Sequence, residues 1–160
     1  MVLSLGEGNA TTRFFAGWPH ALSAQQKPVI GFLNSGSADA YPDRITAFHQ
    51  GLRQLGYVDS ENVIVDYRWA LGQYDRLPAF AAELVERRVS VLVATGGEPA
   101  ALAAKSATST IPIVFAIGGD PIKLGLAASY NRPGGNATGA NILAAEMDGK
   151  RPGLIARANA

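Results

Sequence analysis

Two glycine pairs with matching flanks are the part of this sequence whose residue types and spacing best suit binding chemistry. Gly96-Gly97 and Gly118-Gly119 each follow an apolar stretch, and each precedes an acidic residue and a proline. Glycine lets the chain turn sharply and lets backbone approach a ligand. A helix that begins just after such a turn favours an anion by about 0.3–1 kcal/mol through its dipole. The pattern therefore predicts a site for a carboxylate or phosphate group.

The same residues also have a purely structural interpretation, and both interpretations stay open at this point. Glycines are common where a strand turns into a helix, and Asp120 followed by Pro121 is typical of a helix cap and its first turn. Glu98 would repel a carboxylate if it faced the ligand. We therefore expect Glu98 either to point into solvent or to meet an ammonium group.

Further candidates for ligand contacts follow the other apolar stretches. The hydroxyl and N–H groups around Ser35 could bind a polar ligand, although a simple helix-entry turn explains them equally well. Trp69 could stack on a flat ligand or a cation, with packing at the rim as the alternative. The complete set of predicted ligand-contacting residues is Ser35, Gly36, Ser37, Trp69, Thr95, Gly96, Gly97, Gly119 and Asp120.

These loops need elements that bring them together, and the hydrophobic pattern predicts such elements. Apolar runs within residues 28–33, 63–67, 89–95, 111–117 and 136–142 predict five strands. Helical spacing predicts a helix after each of the first three strands and a short one starting at Pro121. The alternation predicts an α/β fold with a three-layer, flavodoxin-like parallel sheet. Ligands of such sheets bind at the carboxyl edge of the strands.

The helix predictions are specific enough to test residue by residue. The first helix is expected to bury four side chains before Gly56 ends it: Ile45, Phe48, Leu52 and Leu55. Asp75 is the expected cap of the second helix. The third helix is expected over residues 98–106, where its many alanines allow close packing against the sheet.

Composition and missing motifs argue against several classes of function. The chain has no cysteine, only the histidines His20 and His49, and a formal net charge of +1. Nucleic-acid binding by a basic surface is therefore unsupported. Nucleophile-elbow, P-loop and dinucleotide-binding glycine motifs are missing from the sequence. We predict no catalytic residue, no metal ligand and no cofactor, and hence not an enzyme.

The two ends of the sequence differ from its centre. Residues 1–27 lack strand or helix periodicity and are expected to be a disordered lead-in or a degenerate export signal. Residues 28–145 are expected to form one α/β lobe. Residues 146–160 are expected to be an aberrant tail, because Pro152 and Gly153 interrupt a helical start.

Three linked segments carry a family resemblance: "KPVIGFLNSGS", "FHQGLRQLGYVDSENVIVDYRWALGQYDRLPAFAAELV" and "ATGGEPAALAAKSATSTIPIVFAIGGDPIKLGLAASYNRPGGNATG". Together they resemble substrate-binding proteins of ABC transporters, specifically tryptophan- and tyrosine-type uptake components, from Lys27 to about Lys150. The resemblance implies a periplasmic-binding-protein type I lobe that reversibly binds a small, amino-acid-like solute. It also implies a transporter permease as partner and a periplasmic location, although the incomplete signal leaves a cytoplasmic location open.

The resemblance implies a protein with two lobes that close on the ligand. In this sequence only the amino-terminal lobe is recognisable. The resemblance maps the predicted ligand-contacting residues onto loops that face the cleft. With the second lobe absent, we expect weak or undetectable solute binding by the monomer and an exposed rim that favours a homodimer. The alternatives are a flavodoxin-like nucleotide- or phosphate-binding domain and a non-binding domain with a structural or self-associating role.

Overall fold

A computed structural model describes residues 27–142 of the 160-residue chain. The predicted lead-in or signal, apart from its last residue, and the predicted tail lie outside the described residues. The described strands and helices are β1 (Val29–Asn34), α1 (Pro42–Gln54), β2 (Ile64–Trp69), α2 (Leu77–Glu86), β3 (Val91–Thr95), α3 (Glu98–Ala107), β4 (Ile113–Ile117) and β5 (Ala137–Asn141).

The five strands form a single parallel sheet in the order β2-β1-β3-β4-β5. Asn34, the last residue of β1, pairs with Trp69 at the end of β2 and with Thr95 at the end of β3. Ile117 pairs in the same way with Asn141 at the end of β5. The strand ends therefore meet at one carboxyl edge, and the predicted α/β parallel fold is confirmed.

Helices α2 and α3 cover one face of the sheet and bury a continuous apolar cluster. Leu33, Leu84, Leu92, Ile113 and Phe115 are all at most 3% exposed in this cluster. Each such Leu or Ile side chain gains about 1.5–3 kcal/mol on burial, before the entropy cost of ordering it. This face is therefore the main source of the stability of the fold.

Helix α1 lies on the opposite face, where it packs over a smaller cluster that includes Phe32 and Val65. Val91 and Val93 of β3 are only partly buried there, and Val114 of β4 is 42% exposed. The central strands were expected to be covered on both faces because they are apolar throughout. Within residues 27–142 that cover is complete only on the α2 and α3 side.

Three local predictions were wrong. The first helix buries none of its four predicted core side chains: Ile45, Phe48 and Leu52 are only partly buried, and Leu55 is 75% exposed because α1 ends at Gln54 and Leu55 is its C-cap. Asp75 lies in a 3-10 turn, Tyr74–Arg76, and α2 begins without a side-chain cap. The residues after Pro121 form hydrogen-bonded turns rather than a helix, although Leu126 is buried as a core residue.

Candidate ligand-binding site

Asn34 ties the loop after β1 to the loop after β3. Its side-chain Nδ2 donates to Thr95 Oγ1 at 2.8 Å, and its Oδ1 accepts the N–H of Gly36 at 2.7 Å. Beside it, the hydroxyl of Ser35 donates to the carbonyl of Gly96. Asn34 and Ser35 are each 3% exposed. Since buried polar groups need partners, these bonds fix the two loops to each other.

Gly96 packs directly against that buried corner. Its φ of +85° is strained for a residue with a side chain, and a Cβ would lie 2.6 Å from Asn34 Oδ1 and 2.9 Å from the backbone nitrogen of Ser35. The space that glycine leaves is thus filled by the β1 loop and not by an approaching ligand. Gly97, with φ +112°, has only Pro99 near its Cβ position, at 3.6 Å, and lines open space.

Glu98 connects the first glycine loop to the second. Its Oε1 accepts the N–H of Gly119 at 2.7 Å, and the carbonyl of Gly119 accepts a hydrogen bond from Asn141 Nδ2 at 2.8 Å. We expected Glu98 to point into solvent or to meet an ammonium group. Instead it is partly buried and joins the loops after β3 and β4, so the loops after β1, β3 and β4 and the end of β5 form one hydrogen-bonded series.

Asp120 acts as a cap, as the structural interpretation predicted, but on a turn and not on a helix. Its Oδ1 accepts the N–H groups of Ile122 and Lys123 at 2.9 and 3.4 Å. The bond from Ile122 is the main reason that the pKa of Asp120 lies below its usual value. These hydrogen bonds favour the ionised carboxylate, which caps the turn. Capping is the role that the structural interpretation of the sequence had indicated.

The structure brings all nine predicted ligand-contacting residues to the same edge, yet many of their polar groups already have protein partners. Ser35, Thr95, Gly96 and Gly119 each use one in the loop-to-loop bonds, and the N–H of Gly36 is bonded to Asn34 within the loop after β1. Ser37, Trp69 and Gly97 are partly exposed and take no part in those bonds. Whether any of the nine contacts a ligand stays a prediction.

Two adjoining cavities open beside these loops on the α1 side of the sheet. The larger has a volume of about 290 Å³ and is lined mainly by apolar side chains, among them Phe32, Phe48 and Trp69. The smaller, about 210 Å³, is lined by backbone of both glycine loops, including Gly97 and Gly118. They share five lining residues: Tyr41, Arg44, Gly96, Ala116 and Ile142.

Sequence reasoning missed Tyr41, Arg44 and Ala116 as cavity-lining residues. Tyr41 lies four positions past Ser37 as the N-cap of α1, and Arg44 lies seven positions past Ser37 in the first turn; helical spacing selected neither of them as a core residue. Arg44 places its guanidinium 4.9 Å from the centre of the Tyr41 ring. An arginine in the first turn of a helix, where the dipole disfavours a cation, was the one signal that could have indicated a function.

An aromatic cluster forms the wall of the larger cavity. The rings of Tyr67 and Trp69 stack at 5.8 Å with an interplanar angle of 8°, and Phe32 lies 5.2 Å from Tyr67 and 5.6 Å from Trp69. The Tyr67 hydroxyl is 2.7 Å from His49 Nε2. Burial, assisted by the charge of Asp59, raises the pKa of Tyr67 to about 12, so the phenol stays neutral and holds the cluster together.

Metal-binding clusters and membrane-spanning helices are both absent from residues 27–142. No group of three or more His, Cys, Asp or Glu side chains there could hold a metal ion. No helix in the described part of the chain is both long and apolar enough to cross a bilayer.

Residues 29–152 match the profile of a family described as ABC transporter substrate binding protein. This match spans well over half of the chain. The chain belongs to this family. The predicted resemblance is therefore confirmed, on the same segments and nearly the same boundaries.

A curated relative is the tyrosine-binding protein of Clostridioides difficile (strain R20291), 33% identical over 92 residues, which are 58% of this chain and 26% of that protein. A solved structure of a ligand-free, open substrate-binding protein with adhesive properties from Clostridium difficile matches at 27% identity and a TM-score of 0.66. This match covers 71% of this chain and 38% of that protein.

Two other solved structures are similar over 72% of this chain. One is a conserved domain protein from Vibrio cholerae, 31% identical with a TM-score of 0.67, of which 39% is covered. The other, from Streptococcus pneumonia, is an ABC domain in complex with L-Trp, 29% identical with a TM-score of 0.66, of which 38% is covered. The chain thus spans less than half the length of the relatives and structures that it matches.

Proposed function

We propose that this chain provides the amino-terminal lobe of a substrate-binding protein that presents an amino-acid-like solute to an ABC importer. The observation that carries the proposal is the convergence of three cross-bonded loops and two cavities on one edge of the sheet, in a member of this family. Relatives named for tyrosine and solved with L-Trp make an amino acid, and in particular an aromatic one, the favoured solute.

The electrostatics of the edge support a zwitterion better than a phosphate. Glu98 places a carboxylate between the two glycine loops, and its bond to Gly119 occupies an N–H that a phosphate would otherwise use. Arg44 supplies a positive charge at the boundary of both cavities. A ligand with one ammonium and one carboxylate group suits this pair of opposite charges, whereas a phosphate has no positive group to pair with Glu98.

The affinity of this lobe alone should be low. A ligand at the carboxyl edge contacts one wall, and affinity rises steeply when a second lobe closes over it and excludes water. We propose a dissociation constant on the order of 1 mM or weaker for residues 27–142 in the absence of a second lobe. The proposal includes an extracytoplasmic location, in the periplasm where the cell has one, and transfer of the solute to a permease.

The test is an NMR titration of the isotope-labelled full chain with L-tryptophan, L-tyrosine, L-leucine and inorganic phosphate. We expect saturable shifts at the amides of Trp69, Thr95, Gly97 and Gly118 with the aromatic amino acids, smaller shifts with leucine, and none with phosphate. Shifts with phosphate alone would favour a phosphate-binding domain instead. Saturation at micromolar concentrations would refute weak binding by one lobe, and no shift with any amino acid would refute the proposed function.

Self-association is tested separately by light scattering. A homodimer formed through the exposed rim would give twice the monomer mass, and L-tryptophan at saturating concentration would shift it toward monomer, because ligand and partner compete for the same surface. A mass that stays monomeric at all concentrations would refute the predicted homodimer without affecting solute binding.

A further inference from the structure

We propose that the apolar cavity between α1 and the sheet holds the aromatic ring of the solute, while Arg44 at its mouth pairs with the solute carboxylate. This inference rests on the proposed function and assigns each half of an aromatic amino acid to its own part of the site. It places the ring beneath α1, beside the glycine loops and not between them.

The lining of the larger cavity suits a ring. Phe32 and Val93 contribute from the sheet, Phe48 contributes from α1, and Trp69 closes the side next to β2. The volume of about 290 Å³ lies at the lower limit of ligand pockets, which hold roughly 300–1,000 Å³. A cavity of this size has room for one ring-bearing side chain.

Trp69 is positioned to stack on an entering ring. One face of its indole is held parallel to Tyr67, which in turn is fixed by its hydroxyl contact with His49. Trp69 is nevertheless partly exposed and lines the cavity. Offset or edge-to-face contact between aromatic rings adds to the stabilisation gained from burying them.

Arg44 has the charge and the place to hold a carboxylate. It lines both cavities, its side chain is exposed, and none of the ion pairs among residues 27–142 includes it. The Tyr41 ring beneath its guanidinium restricts where the charge can lie. A charged hydrogen bond from arginine to a carboxylate is stronger than one between neutral groups, and more so when water is partly excluded.

The experiment compares three ligands against matched pairs of substitutions on α1 in the full chain, with affinities from NMR titration. All three ligands carry an ammonium group; L-tryptophan also has the ring and the carboxylate, tryptamine lacks the carboxylate, and L-alanine lacks the ring. Ala47→Phe fills the larger cavity from an exposed helix position, and Gln50→Phe adds the same ring at an exposed position that does not line it. Arg44→Gln removes the cavity-lining charge, and Arg53→Gln removes an exposed charge elsewhere on α1.

We expect Ala47→Phe to weaken L-tryptophan and tryptamine by about tenfold or more, since a displaced ring forfeits at least 1.4 kcal/mol of burial. Gln50→Phe should leave both affinities unchanged. Arg44→Gln should weaken L-tryptophan by about tenfold and leave tryptamine unchanged, whereas Arg53→Gln should change neither. L-Alanine should bind too weakly to measure.

Several results would overturn the inference. If Ala47→Phe binds L-tryptophan as well as the unsubstituted chain does, the ring lies elsewhere and the proposed function still stands. If Arg44→Gln weakens tryptamine equally, Arg44 does not act on the carboxylate. If Ala47→Phe instead alters the mass in scattering without altering affinity, the cavity is a contact between copies. If no ligand shifts any amide, the proposed function fails together with this inference.

Discussion

The two glycine pairs look alike in sequence and differ in structure. Gly96 and Gly97 both have positive φ and lead directly into α3. Neither Gly118 nor Gly119 has positive φ, and only turns follow them. The first pair needs glycine because its backbone conformation is strained for residues with a side chain. Gly119 of the second pair needs glycine because Glu98 fills the space that a Cβ would occupy. The same four-residue pattern thus has two physical causes in one molecule.

The comparison also separates glycines that serve the scaffold from one that is free to serve a ligand. Gly96 and Gly119 each face a neighbouring loop at a distance that no Cβ could occupy without movement. Gly97 faces open space although its backbone conformation is the most restricted of the four. A glycine at a strand end is therefore informative about ligand binding only when nothing in the protein fills the space beside it.

The largest effect is expected for Gly96→Ala. Positive φ costs about 1–2 kcal/mol for a residue with a side chain, and contact with the fixed backbone of Ser35 adds about 1–2 kcal/mol. The free energy of unfolding should therefore fall by about 2–4 kcal/mol in urea denaturation. A decrease of less than about 1 kcal/mol in the free energy of unfolding would contradict the distinct backbone requirement assigned to the first glycine pair.

Gly51→Ala is the matched control for that substitution. Gly51 lies within α1 with ordinary φ and nothing within 4 Å of its Cβ position. Alanine there should stabilise the chain by about 0.5–1 kcal/mol through helix propensity. If the free energy of unfolding rises for Gly51→Ala and falls for Gly96→Ala, the loss of stability at Gly96 is caused by its local geometry and not by the removal of a glycine as such.

A smaller effect is expected for Gly119→Ala, because its obstacle is the end of a flexible side chain. The new Cβ would lie 2.9 Å from Glu98 Oε1 and displace that carboxylate, at a cost of about 1–2 kcal/mol. Glu98→Ala should cost about 1 kcal/mol by leaving the Gly119 N–H without its acceptor. In the double variant the two losses should not add, which a double-mutant cycle measures; additivity would contradict the direct contact.

The smallest effect is a pH dependence confined to the second loop. Hydrogen bonds from Ile122 and Lys123 lower the pKa of Asp120 below its unfolded value of 3.8. Its contribution to stability is then fully present above pH 3.8 and is lost as the pH falls through the lower, folded pKa. Asp120→Asn keeps the accepting oxygen and should flatten that part of an acid unfolding curve; an unchanged curve would contradict the prediction.

Particular residues show where sequence reasoning succeeded and where it stopped. Apolar alternation predicted each strand to within two residues at either end; the largest differences are that β3 and β4 begin two residues later, and β2 ends two residues later, than expected. Trp69 is consequently the last residue of β2 and not a loop residue. Leu55 was predicted as core because its spacing fits, but α1 ends one residue earlier, at Gln54, and Leu55 is 75% exposed as its C-cap.

The sequence by itself determined the α/β alternation and the shared edge of the strand ends, because these follow from local periodicity and the handedness of parallel connections, and its linked segments carried the family resemblance. Only the tertiary structure decided which polar groups at that edge were already paired. Glu98 and Gly119 are 21 residues apart, and Asn34 and Thr95 are 61 apart. No spacing rule reaches so far, since such bonds depend on how strands are ordered across the sheet and how closely their loops approach.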